Sequence, residues 1–400
     1  MIFGAGRIGR SFIGQIFSRG GYEVIFVDVN QHLINLINER KNYKIIIKDE
    51  KDEILFIQNI RGIHFEDNAS ILNEISSTTV TAISVGQSAL SSVIPIITKC
   101  LEHRAINSPS QPLDIILAEN MRNAASYFRM ELLHLLGNDF PIDKLAGLIE
   151  TSIGKMVPFM TREDLEQDPL QIFAEPYNTL ILDKAGFLNP VPDIPWLAPK
   201  ENMKAWVDRK SFIHNLGHAA AAYIGFLKHP EIIYISRILD DQELFQMVRS
   251  TMLQSARILL AKFPEEFTLT DLEEHIDDLL SRFRNKALKD TVFRVGCDLS
   301  RKLGPDDRLV APIKEAIQAG LPYDKILYTL VCGFYFRATD ETKHYFSADL
   351  KFYDDFKPDI EYLLTNICQF DPEKNKKLFQ KARVYSKEIN QQYKPRVLIH

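Results

Sequence analysis

The sequence predicts an α/β N-terminal domain on a parallel-rich sheet, followed by a mostly α-helical C-terminal domain. Three observations carry this. Over the first 120 residues, strand-like apolar runs (EVIFVDV at 23–29, VTAISVG at 80–86, LDIILAE at 113–119) alternate with helical stretches such as SFIGQIFSRG and QHLINLINER. That alternation argues for βαβ units. Pro190, Pro192, Pro195 and Pro199 then fall within ten positions, which no helix or central strand tolerates. Beyond them the pattern is helical almost to the end.

The chain opens with Gly4-Ala5-Gly6-Arg7-Ile8-Gly9, a GxGxxG motif leading into a helical stretch. The first glycine permits a tight turn, the second lets backbone approach a pyrophosphate, and the third lets helix and strand pack closely. The N–H groups of the helix N-terminus then face the diphosphate. The run VIFVD follows and ends in Asp28, 24 residues after Gly4, where an acid binds the ribose hydroxyls of NAD and repels the extra phosphate of NADP. No arginine follows in Val29-Asn30-Gln31. A Rossmann-type NAD-binding domain is expected, with Gly4, Gly6, Arg7, Ile8, Gly9 and Asp28 as cofactor contacts. The plainer alternative is a glycine turn in a sheet without a cofactor. Only Met1, Ile2 and Phe3 precede Gly4, against about five residues in an ordinary strand. Either the first strand is short or the start lies a few codons late.

The segment YKIIIKDEKDEILFI (43–57) reads as an inserted hairpin, two apolar runs about a charged turn. The proline cluster places the domain boundary, giving 1–195 and 196–400. In 241–263, Leu244, Val248, Met252, Ala256 and Leu259 recur every three or four residues, the stripe of an amphipathic helix.

Formal charge is 48 − 53 = −5, so no broad cationic field invites nucleic acid or an anionic membrane. No run approaches the roughly 18 apolar residues of a membrane span. The start, MIFGAGRIGR, has arginines where a signal peptide carries its apolar core. Cys100, Cys297, Cys332 and Cys368 are far apart, which disfavours a disulfide framework and fits a reducing cytoplasm. Nothing demands a subunit interface, and a monomer is as plausible as a dimer.

The chemistry-bearing segment is Arg209-Lys210-Ser211-Phe212-Ile213-His214-Asn215-Leu216-Gly217-His218. At 100° per residue, Lys210, Asn215 and His218 fall within a sector of about 140° of one helix. A lysine of depressed pKa suits removal of a hydroxyl proton. An amide and an imidazole suit donation to an oxygen whose charge changes. A surface lysine beside core polar residues accounts for the same pattern. His214 and His218 are spaced like two metal ligands, but no third follows, so no metal is expected. Tyr353 and Lys357 have the YxxxK spacing of short-chain dehydrogenases, a chance match so near the C-terminus.

Lys-x4-Asn-x2-His resembles the signature of the polyol-specific long-chain dehydrogenases. The longer strings RKSFIHNLGHAAAAYIG, FGAGRIGRSFIG, VDVNQ, AENM (118–121), ERKNY and RKLGPDDRL (301–309) are similar to that family's polyol-phosphate branch. RFRNKALKDTVFRVGCDLSRK resembles its second conserved block. The resemblance runs along nearly the whole chain. It implies a Rossmann domain, a helical domain and metal-independent hydride transfer between NAD and a polyol or its ketose, here a polyol phosphate and ketose phosphate. It assigns Lys210 as general acid/base, with Asn215 and His218 orienting and polarising the oxygen. Arg294 and Lys302 are assigned to distal substrate oxygens, and Asn120 to the neighbourhood of the nicotinamide.

The sequence departs from the family in one block. The family's Asp-Arg is Gly154-Lys155 here, Glu150 stands where Asn or Asp is usual, and Lys286 replaces a proline. Glu150 is carried as a substrate contact. These changes put the exact substrate in question, not the reaction class. Other readings stay open: a hexuronate (tagaturonate or fructuronate) reductase of the same family, which also needs a cation for its substrate anion, another polyol dehydrogenase of that family, and a catalytically inactive NAD-binding regulator.

Overall fold

The computed structural model describes residues 1–355 and 360–393, which fall into two units, Met1–Val207 and Asp208–His400. Lys357 lies outside the described residues. The first unit holds eleven strands: β1 (Ile2–Phe3), β2 (Val24–Asp28), β3 (Asn42–Ile47), β4 (Glu53–Gln58), β5 (Ile60–His64), β6 (Val80–Ile83), β7 (Leu113–Leu117), β8 (Ala146–Ser152), β9 (Ile172–Ala174), β10 (Leu180–Asp183) and β11 (Leu197–Lys200). Eight of them form one sheet in the order β11-β10-β8-β7-β6-β1-β2-β5. From β5 to β8 every pairing is parallel, with Ile2 opposite Phe26 on one side and Ala82 on the other. This is the dinucleotide-fold strand order.

A parallel sheet is covered on both faces, so its strands are apolar throughout. All five residues of β7 are buried, Asp114 included. Its carboxylate is satisfied by the backbone N–H groups of Leu188 and Asn189 and the Asn189 amide. Phe12, Ile13, Ile16, Phe26 and Ile116 pack on one side, and Phe3, Val27, Ile97, Leu101 and Phe128 on the other. β1 has only two residues, yet it is central and hydrogen-bonded to both neighbours. From β1 the chain builds outward through β2 and β5, then returns to its other side at β6. Ligands of open α/β sheets bind at the strand carboxyl ends beside such a reversal.

Two additions extend this core. β10 runs antiparallel to β8, and β11, which contains Pro199, runs parallel to β10 and completes the sheet edge. β3 and β4 pair antiparallel, with Ile45 opposite Leu55, and β9 joins β3 in parallel to make a separate three-stranded sheet.

The second unit is helical. Leu216–Lys228 contains Ala219 to Ala222 and is buried on nearly all sides, as expected of a helix apolar all round. Its Gly217 accommodates Met252, whose sulfur would lie 2.6 Å from a Cβ there. Gln242–Lys262 buries Leu244, Val248, Met252, Ala256 and Leu259, and Asp241 caps it by accepting the N–H groups of Glu243 and Leu244. Leu269–Phe283 starts with a Thr268/Asp271 capping box and buries Leu272, Ile276, Leu279, Leu280 and Phe283. Among the described residues, no helix is long and apolar enough to cross a membrane.

Candidate functional site

The first unit's candidate residues lie at or just past the carboxyl ends of β1, β2, β7 and β8. After β1 the chain turns at Gly4 (φ +96°), whose N–H donates to the Val27 carbonyl at 2.8 Å. A Cβ on Gly9 would stand 1.9 Å from the Gly4 carbonyl oxygen, so only glycine lets this helix start so close to the turn. At Gly6 a Cβ would meet nothing within 4 Å, and both Gly6 and Arg7 are exposed. The loop is therefore tight inside and open outside. Ile8 is half-buried, and the Arg7 guanidinium lies 4.7 Å from the Phe159 ring centre. Asp28, at the end of β2, accepts N–H groups from Ala5 (2.7 Å) and Asn30 (2.9 Å), tying loop to strand end. Sequence reasoning missed Arg10, which is buried and donates to the Ala5 and Leu170 carbonyls, bracing the loop from behind. It falls just outside the glycine motif, and nothing in the pattern marks it.

Asn120 is exposed, three residues past β7. Beside it, Glu119 is buried and accepts the Gly86 N–H at 2.9 Å, and burial raises its carboxyl pKa. Glu150, near the end of β8, accepts the Ala124 N–H at 2.6 Å, and burial again raises its pKa. Lys155, one of the two residues in place of the family's Asp-Arg, is turned inward. Its ammonium donates to the carbonyls of Glu175 (3.1 Å) and Tyr177 (2.7 Å) and to Asn178 Oδ1 (3.2 Å), which also accepts from Gln15. Lys155 is thus a cation of the scaffold, pinning the 175–178 loop.

In the second unit, Lys210–Asn215 forms a π-helical segment that runs directly into Leu216–Lys228. Its i→i+5 pattern sets residues five apart closer in angle than an α-helix does, so Lys210 and Asn215 share a face more nearly than regular helical spacing implies. Such segments are frequent at functional sites. His218 follows one turn on. Its ring stacks on Phe283, with centroids 3.8 Å apart and planes at 21°, and lies 5.2 Å from the His214 ring. His218 Nε2 is 3.7 Å from Asp290 Oδ2. The pKa of His218 is held well below the ordinary imidazole value by burial first, then by Arg294, Arg308, Arg282 and Lys302, so the ring is neutral. Burial, with His218, Arg282 and Lys210, does the same to His214.

Arg294 pairs with Asp290, four residues earlier and just before the Thr291 cap of its helix. Lys302 is buried, and its ammonium donates to the Val295 carbonyl at 2.8 Å. Burial, reinforced by Arg308, pushes its pKa down to about 7. Arg308 donates to Asp307 at 2.8 Å. Asp290, Arg282, Arg308 and Phe283 are the groups that sequence reasoning overlooked. The i, i+4 spacing of Asp290 and Arg294 was the one available signal. Among the described residues, no three His, Cys, Asp or Glu side chains are grouped to hold a metal ion.

A dinucleotide-type sheet with its glycine turn and strand-end acid, followed by a helical unit carrying lysine, asparagine and histidine on one segment, defines an oxidoreductase of the dehydrogenase class. Residues 1–196 match the mannitol dehydrogenase Rossmann domain, and residues 202–394 the mannitol dehydrogenase C-terminal domain. The chain belongs to the mannitol dehydrogenase family. It is 32% identical over 343 residues to a mannitol-1-phosphate 5-dehydrogenase of Streptococcus mutans, covering 85% of this chain and 87% of that one. It is also 32% identical to the protein of the same name from Shouchella clausii, over 84% and 88% of the two chains. Among solved structures, a substrate-free D-sorbitol dehydrogenase superposes with a TM-score of 0.81 at 16% identity, over 98% of this chain and 93% of that one. Pseudomonas fluorescens mannitol 2-dehydrogenase, solved with NAD and D-mannitol, gives 0.74 at 16% identity, over 98% and 91%. At these identities the likeness is one of fold.

Proposed function

We propose that the chain is an NAD-dependent dehydrogenase interconverting D-mannitol 1-phosphate and D-fructose 6-phosphate without a metal ion. The observation that carries this reading is the neutral His218, on the Lys210/Asn215 helix, in a field set by Arg282, Arg294, Lys302 and Arg308. Such a field suits a substrate with a reacting hydroxyl and an anionic end, since arginine offers phosphate a bidentate fork. The names of the two bacterial relatives favour the same substrate pair.

The glycine loop fits a dinucleotide. It is open at Gly6, and each Asp28 oxygen keeps a lone pair for a ribose hydroxyl beyond the N–H it already accepts. Gly4, Gly6, Arg7, Ile8 and Gly9 would hold the pyrophosphate, Asp28 the ribose, and Asn120 the nicotinamide end. NAD supplies a two-electron hydride acceptor when bound. In the oxidation, Lys210 in its neutral form takes the hydroxyl proton as the carbinol carbon gives up its hydride, leaving a ketone and an ammonium. Asn215 and His218 hold the reacting oxygen, Arg294 and Lys302 anchor the far end, and Glu150 is a further substrate contact. The oxidation rate therefore falls as pH drops through the apparent pKa of Lys210, because a protonated amine is not a base. A rate flat from about pH 6 to about pH 10 would remove Lys210 from that role.

The test follows NADH absorbance with fructose 6-phosphate, unphosphorylated fructose, tagaturonate and fructuronate, with Lys210→Ala as control. Rapid oxidation with fructose 6-phosphate alone, lost in Lys210→Ala, supports the proposal. Turnover of a hexuronate instead moves the assignment to a reductase, whose carboxylate the same arginine would accept. Normal NADH binding with no turnover of any of the four by the wild type points to a regulator.

A further inference from the structure

Asp290 has no role in the scheme above, yet it stands between two groups that do. One carboxylate oxygen pairs with Arg294, and the other lies 3.7 Å from His218 Nε2. Both the Asp290 side chain (10% exposed) and the His218 side chain (12%) are largely shielded from water. Asp290 Oδ2 and His218 Nε2 are each buried without a hydrogen-bond partner. Two unpartnered polar atoms facing each other this closely are costly unless they serve each other or a bound group.

The surroundings hold both ends in place. The Asp290 carbonyl accepts the Ile235 N–H at 2.9 Å, and Thr291 bridges to Tyr234 before capping the helix Val292–Gly296. The His218 ring is fixed by Phe283 and by its buried helix. A rotation of the carboxylate is then enough to close the gap, and such bonds often tighten only when substrate binds. The charged groups facing the ring are Arg294, Arg308, Arg282 and Lys302, with His214 beside it. Burial first, and then these cations, keep the imidazole neutral, so it has one N–H and one lone pair, and a neighbouring acceptor decides which nitrogen carries which.

We propose that Asp290 is a positioning residue that holds His218 in its Nε2–H tautomer and leaves Nδ1 as the acceptor for a hydroxyl of the substrate. The role given to Nδ1 rests on the function proposed above. On this account His218 acts beside the reacting oxygen: it accepts a hydrogen bond from a neighbouring hydroxyl of the polyol. The one proton of the reacting hydroxyl goes to Lys210, and donation to the carbonyl oxygen falls to Asn215 and Lys210. Asp290 also links recognition to chemistry, because the guanidinium that draws the substrate anion is paired with this same carboxylate.

The test is 15N NMR of histidine-labelled, substrate-free protein, with the His218 signal assigned by its loss in His218→Asn, together with steady-state kinetics of Asp290→Asn and Asp290→Glu. The expected result is an Nε2–H signal in the wild type. In Asp290→Asn, kcat for fructose 6-phosphate should fall at least tenfold, with KM and NADH affinity within about threefold and partial recovery in Asp290→Glu. An Nδ1–H tautomer in the wild type overturns the proposal. So does an Asp290→Asn variant whose defect lies in KM alone, since Asp290 then serves only Arg294. The tautomer is read without substrate, so it decides the case even if Asp290→Asn does not fold. Failure of the wild type to turn over fructose 6-phosphate would overturn the substrate reading and leave the tautomer result standing.

Discussion

Gly6 and Gly9 look equivalent in the motif, and the structure gives them opposite consequences. A methyl on Gly9 would sit 1.9 Å from the Gly4 oxygen and 3.0 Å from both the Gly4 carbonyl carbon and Ser84 Oγ. Gly4 has little room to move, since its N–H is bonded to Val27 and even a Cβ of its own would meet the Ser84 carbonyl oxygen at 2.6 Å. Relief of such a clash by backbone displacement costs about 1–3 kcal/mol, and the rigidity here argues for the upper end. For a unit of this size each kcal/mol lowers the melting temperature by about 2–4 °C, so Gly9→Ala should melt roughly 6–12 °C below the wild type. Gly6→Ala meets nothing and should melt within about 2 °C of it, a surface change of about 0.5 kcal/mol or less. Its methyl instead stands where backbone would approach a pyrophosphate, and NADH affinity should fall at least about tenfold. Thermal melts by circular dichroism and NADH fluorescence titrations read the two effects separately. Equal melting temperatures for the two variants would refute the packing argument, and wild-type NADH affinity in Gly6→Ala would refute the assignment of the loop.

Two further outcomes follow from buried lysines. Lys155→Met keeps the length of the side chain but strips three acceptors of their donor, and should destabilise the protein by about 1–3 kcal/mol in urea denaturation. No loss would mean that the ammonium's desolvation cancels its bonds. Lys302 falls from 10.5 unfolded to about 7 folded, so between those values the unfolded chain binds more protons and stability rises with pH through this group. Below about pH 7 both states are protonated and the full penalty of burying the cation applies, no more than ~5 kcal/mol. Between about pH 7 and about pH 9 the wild type should gain up to ~2–3 kcal/mol relative to Lys302→Met, and parallel pH profiles would show that the carbonyl bonds keep Lys302 charged.

The fold was legible where periodicity is local. The apolar runs at 23–29, 80–86 and 113–119 became β2, β6 and β7, because a doubly covered parallel sheet requires apolar residues on both strand faces. The stripe from Leu244 to Leu259 became the buried face of Gln242–Lys262. What stayed illegible is non-local or geometric. β9 joins β3 across more than a hundred residues, and no turn connects them to announce it. The π-helical segments at Gly9–Gly14 and Lys210–Asn215 differ from an α-helix by one residue per turn, below the resolution of a hydrophobic pattern.

The surroundings of His218 show most clearly why charges mislead when read along the chain. Arg282 lies four residues from Asp278, Arg294 four from Asp290, and Arg308 beside Asp307, spacings that look like solvated surface pairs. In the structure the side chains of Arg282 (11% exposed) and Arg308 (9%) are largely buried, as is Lys302, and with Arg294 they act on one imidazole. Dispersed in water, four such cations would be screened from one another and from the ring. Gathered in a partly dry site, they add to burial in holding the ring neutral, and the same field favours an anion. The cationic share of the His218 shift and the proposed hold on a substrate anion therefore have one electrostatic source. A variant that weakens the field, such as Arg308→Gln, must raise the His218 pKa and loosen phosphate together if that account is right.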